Sequence, residues 1–86
     1  MNALSRYEEV LRNVLRSQLG LRHIELDDSL IQIDPDLPTD EVLIDVFELL
    51  GYPHQKPFYS EWIGTLRDLI RIVDDNIRAA GLRTAQ

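Results

Sequence analysis

Three stretches of this chain repeat their apolar residues at the spacing of a helix packed by one face. Leu4, Tyr7, Leu11, Val14, Leu15 and Leu19 recur at intervals of three and four, with Val10 beside them. Val42, Leu43, Val46, Phe47 and Leu50 repeat the pattern, and Leu66, Leu69, Ile70, Val73 and Ile77 repeat it again. Residues 21–37 alternate only in part. A lone strand there has no evident mate, and a long ordered loop pinned by Leu30 and Ile33 fits better. The expected fold is therefore all-α, a small bundle of three or four helices, antiparallel in the main, with a long loop between the first two helices and a short helix before the last.

Local signals bound each element. A first helix is expected over residues 3–19, stopped by Gly20 in a left-handed cap, with Arg12 and Arg16 placed where cations favour the helix dipole. The loop then covers 20–37 and closes at Pro35. A second helix, about 38–50, is entered through Pro38, with Thr39, Asp40 and Glu41 supplying oxygens to the unpaired N–H groups of its first turn, and it ends at Gly51. Pro57 opens a short helix over 57–62, whose Phe58, Tyr59 and Trp62 are expected to anchor the core. Thr65 and Asp68 form a weaker version of the capping box before a last helix over 65–80, capped by Gly81. Residues 82–86 are expected to fray.

At 86 residues the chain can build one modest core and no more, so a single domain is expected. Its 44% hydrophobic and 28% charged residues are those of a folded chain rather than a disordered one. There is no cysteine, which removes disulfides, thiolate nucleophiles and thiolate-bound zinc. No signal-peptide core and no membrane-length apolar run is present, so a cytoplasmic protein is expected. Oligomeric state is open.

Charge is segregated along the chain. Residues 24–55 carry nine acids and no Lys or Arg, a block charge of −9 that exceeds the net charge of −6. The flanking segments sum to +2 and +1. Such a block implies an acidic face for a basic partner and argues against nucleic acid, whose phosphates it repels. Glu41, Asp45 and Glu48 fall on one side of the second helix with Ile44 among them; the bland reading is a solvated helix face, and the functional one is a contact surface with an apolar anchor.

Chemistry is less evident. Asp34, Asp36 and Asp40 lack the Gly and Glu positions of a calcium loop and are interrupted by Pro35 and Pro38. His23 and His54 lie far apart in sequence, and Ser5, Ser17, Ser29 and Ser60 have no nearby His and acid, so no nucleophilic constellation is visible. No catalytic residue, metal ligand or enzyme activity is expected.

Asp28-Ser29-Leu30 is the tripeptide on which acyl and peptidyl carrier proteins bear their phosphopantetheine arm. In carriers that serine opens a helix of about four turns, and here Pro35 bars such a helix. A second alignment uses the whole order of elements over roughly residues 3–78, which resembles the carrier-protein family. Ser29-Leu30 looks like the loop anchor, Asp36-Leu37-Pro38 stands where Asp-Ser-Leu is expected, and Ile63-Gly64-Thr65-Leu66 resembles the entry to the last helix. Leu37 then occupies the serine position and Pro35 replaces a small glycine. The resemblance implies a carrier-like shape without the prosthetic group, whose second helix binds a basic patch on a partner such as a biosynthetic enzyme through Leu37, Glu41, Ile44, Asp45 and Glu48. Two alternatives stand beside it: a true carrier bearing 4'-phosphopantetheine on Ser29, and a small acidic inhibitor or immunity protein that occludes a basic active site.

Overall fold

Burial follows the stripes. The computed structural model describes residues 3–59 and 64–84, which form four helices and no named strand: α1 (Ala3–Leu19), α2 (Leu30–Ile33), α3 (Thr39–Leu49) and α4 (Leu66–Thr84). Leu11 and Leu15 of α1, Val42, Leu43, Val46 and Phe47 of α3, and Leu66, Leu69 and Val73 of α4 are fully enclosed, and they meet in one core. α1 packs on both α3 and α4, which touch each other less. Gly20 and Gly51 take φ of 68° and 93°, so both major turns use the left-handed freedom that a side chain would oppose.

The loop after α1 is stitched to the start of α4 rather than left free. Leu30 is fully buried, its N–H donates to the Gly64 carbonyl at 2.8 Å, and the Arg67 N–H donates to the Leu26 carbonyl at 3.0 Å. Ser29 and Thr65 form an isolated antiparallel bridge. The loop carbonyls thereby satisfy a donor in the first turn of α4 that the helix itself leaves unpaired. Thr65 and Asp68 complete the capping box in both directions. The Asp68 N–H donates to Thr65 Oγ1 at 3.2 Å, and Asp68 Oδ2 accepts from Gly64 N–H at 3.0 Å and Thr65 N–H at 3.1 Å.

These bonds hold the Asp68 carboxyl below its ordinary value of 3.8, with the Gly64 N–H the largest cause. A folded-state pKa below the unfolded one means that the contribution is complete above the unfolded pKa and lost as pH falls through the folded one. Asp68→Ala is expected to cost about 1 kcal/mol near neutral pH, the usual worth of a cap. Urea unfolding repeated at about pH 3 should show the gap between wild type and variant narrowed. An equal gap at both pH values would show that the carboxylate charge contributes nothing.

Five expectations need correction. Leu4 is exposed although it continues the α1 stripe, because the first turn of α1 projects beyond the core and lies over an open groove with Leu26 and Ile70. Ile33 is exposed too, so of the two expected anchors only Leu30 pins the loop, and buried Ile24 shares that role. A single helical turn, α2, interrupts that loop, with Ser29 as its N-cap. Residues 57–59 are not helical, and the rest of the expected short helix, including Trp62, lies outside the described residues. Gly81 does not stop α4, which continues through it to Thr84; the buried Ala80 carries the packed face onward and no turn is required there.

Candidate functional site

α3 divides into two halves. At about 100° per residue, Val42, Leu43, Val46 and Phe47 point to the core, while Asp40, Glu41, Ile44, Asp45 and Glu48 occupy the opposite side and Leu49 lies at the boundary. Asp40 and Glu41 sit in the first turn, where carboxylates offset the positive end of the helix dipole. The helix begins at Thr39 with Pro38 in the cap position and no side-chain cap, so these two acids are its main N-terminal complement. Ile44 is 39% exposed and Leu49 63% exposed, which places a large apolar side chain near each edge of the acidic face. Leu49 was not evident from the stripe: it falls two turns after buried Val42, and its exposure comes from its place at the C-terminal end of α3.

Glu41, Asp45 and Glu48 form no ion pair among the described residues, whose salt bridges all lie on or between other elements. Their charge is unspent. Asp40 is the exception, accepting a hydrogen bond from Tyr59 Oη at 2.6 Å, which raises the Tyr59 pKa above its ordinary 10.0. That bond brings the 55–59 segment beside the N-terminal end of α3 and adds a half-exposed aromatic ring to the acidic face. Phe58 is 49% exposed and Tyr59 39% exposed, so both aromatics belong to the surface and the expected core role fails for them.

A buried amide explains why. Asn76 of α4 is fully enclosed, and its side chain clamps the segment: Oδ1 accepts from Phe58 N–H at 3.0 Å and from Gln55 Nε2 at 3.2 Å, while Nδ2 donates to the Phe58 carbonyl at 2.9 Å and to the Ile72 carbonyl at 2.8 Å. The Phe58 carbonyl is therefore committed to Asn76 instead of to a helical turn, and the Phe58 side chain is directed outward. Nothing in the sequence marks Asn76, because one polar residue within an apolar stripe carries no sign of its partner.

The remaining candidates are dispersed. Ser29 is half-buried, and its Oγ accepts from Gln32 N–H at 3.4 Å as the cap of a four-residue helix. Asp28 accepts from Glu25 N–H at 2.9 Å. Leu37 packs against the edge of the core with part of its side chain open. It precedes α3 by two residues, and the Thr39 N–H donates to its carbonyl at 2.9 Å. His23 and His54 are both exposed, and among the described residues no three His, Asp or Glu converge as metal ligands. No described helix is long and apolar enough to cross a membrane. Comparison with known proteins finds no matching family, no matching curated protein and no matching solved structure.

Proposed function

We propose that this chain is a non-catalytic interaction module of carrier-protein-like shape, which binds a basic surface of a partner protein through α3 and carries no prosthetic group. The observation that supports this reading most is the outer half of α3, where Glu41, Asp45 and Glu48 have no ion-pair partner among the described residues and stand between exposed Ile44 and Leu49. Carboxylates of this kind steer a basic partner and set register, and the apolar residues contribute contact area once water is excluded. Leu37 lies at the foot of that face and offers neither a hydroxyl nor another nucleophile.

The competing carrier reading rests on Ser29. Its hydroxyl caps a helix of one turn, α2, and Asp28 beside it is bonded within its own turn. Incubation with a broad-specificity phosphopantetheinyl transferase and coenzyme A, followed by intact-mass measurement, separates the two. No gain in mass is expected. A gain of one arm that disappears in Ser29→Ala would overturn the proposal in favour of a loaded carrier. The inhibitor reading needs no carrier-like shape, and a nuclease or toxin neutralised by stoichiometric addition of the chain would favour it.

A further inference from the structure

The α3 face calls for a basic counterpart with an apolar floor, and this chain carries one itself. Arg12 and Arg16 stand one turn apart on α1, and the segment after Gly20 folds back beside them, held by a hydrogen bond from Arg12 Nη1 to the Ile24 carbonyl. Between helix and segment lies an open groove of about 550 Å³, within the size range of binding clefts. Arg12, Arg16, Arg22 and His23 line it together with Leu21 and Ile24. Arg16 bonds to the neutral Asn13, and the side chains of Arg22 and His23 make no hydrogen bond or ion pair with described residues. Among the described residues, only Arg12 of these four is paired with an acid, Glu8 at 3.0 Å. The groove is thus cationic at its rim and apolar within.

We propose that the acidic face of α3 docks into this groove of a second copy of the chain, an inference that rests on the binding role given to α3 above and names its partner. Ile44 meets the Leu21 and Ile24 floor, and Glu41, Asp45 and Glu48 meet Arg16, Arg22 and His23. The two surfaces share no residue, so one molecule uses both at once. Association is then head to tail and open-ended rather than a closed dimer. The net charge of −6 opposes assembly at long range, but beyond roughly 8 Å that repulsion is screened at physiological salt, whereas opposed charges in contact are not.

Sedimentation velocity on the whole chain tests this. At about 50 mM salt, where contact charges are weakly screened, the weight-average mass of wild type should rise with concentration without levelling off at two copies. Arg16→Ala with Arg22→Ala should sediment as a monomer, as should Glu41→Lys with Asp45→Lys. Mixed in equal amounts, these two variants should form a heterodimer and stop there, because each retains the one face the other lacks. Circular dichroism on each variant confirms that its helices persist. A wild type that remains monomeric to about 1 mM overturns the proposal, as does a closed dimer that survives in both variants. Titration of inorganic phosphate into the protein, followed by amide shifts, covers the other occupant: shifts confined to residues 12–24, together with variants that fail to pair, assign the groove to a free anion and overturn the proposal. An arginine-rich helical peptide that binds wild type but not Glu41→Lys with Asp45→Lys leaves the role of α3 standing even when self-docking fails.

Discussion

Asn76→Leu is expected to cost about 3 kcal/mol of folding stability, from three bonds between α4 and the 55–59 segment at about 1 kcal/mol each. Leucine keeps asparagine's branching and heavy-atom count but its methyl groups are bulkier than the planar amide, so some overpacking strain accompanies the lost bonds. The bonds at stake are those to Phe58 N–H, the Phe58 carbonyl and Gln55 Nε2, all within 3.2 Å. Added burial of apolar atoms offsets part of the loss, and so does the access of water to the freed Phe58 backbone. For a domain of this length, whose total stability is on the order of 4–13 kcal/mol, the remaining cost is a large fraction. Urea unfolding measures it, and hydrogen exchange localises it: amides of 55–59 should lose protection while those of Leu11 and Val46 follow the global stability. A cost below about 1 kcal/mol would mean that the buried amide is merely tolerated. Asn76→Asp should be worse than Asn76→Leu, since it keeps the acceptor for Phe58 N–H but opposes the Phe58 and Ile72 carbonyls and buries a charge.

The second large effect falls on binding. Glu41→Lys with Asp45→Lys is expected to leave the fold in place and weaken association with a basic partner by about 10- to 100-fold at low salt, the scale of removing and then reversing contact charges. Glu41 is exposed and Asp45 half-buried, and neither has an ion-pair partner among the described residues to lose. A lysine in the first turn opposes the helix dipole by about 0.3–1 kcal/mol, which sets the expected fall in stability. Association should also depend less on salt, because fewer favourable charge pairs remain to be screened. Calorimetric titration at two salt concentrations reads both changes. If affinity and salt dependence are unaltered, binding lies elsewhere, and the surface formed by Phe58 and Tyr59 would be the next to test.

The major helices were legible because their determinants are local. Apolar spacing, Gly20, Gly51 and the Thr65–Asp68 box each act within one or two turns of chain, and each performs in the structure the role its chemistry implies. The acidic side of α3 was legible for the same reason, since helical periodicity alone separates Glu41, Ile44, Asp45 and Glu48 from Val42, Leu43, Val46 and Phe47. Where the structure departs from the local pattern around Phe58 and Tyr59, the cause is a contact distant in sequence. Size and hydrophobicity point Phe58 and Tyr59 to the core, yet Asn76, eighteen residues beyond Phe58, holds the Phe58 backbone and Asp40 holds the Tyr59 hydroxyl. Leu4 and Ile33 continue an apolar pattern past the limits of the core, and a periodicity does not say where the opposing surface ends. Gly81 has the residue type of a cap but is not in the left-handed conformation that makes one.

By itself the sequence determined the helical class, the outlines of α1 and α3, the start of α4, and the side of α3 that bears charge, because backbone capping and burial period are written in neighbouring residues. Tertiary structure decided which apolar residues are left outside, how the loop of Leu26 and Leu30 is stitched to Gly64 and Arg67, and that Arg12, Arg16, Arg22 and His23 enclose a groove. Those outcomes depend on which surfaces meet when the helices pack, and no short window of sequence contains both sides of a contact.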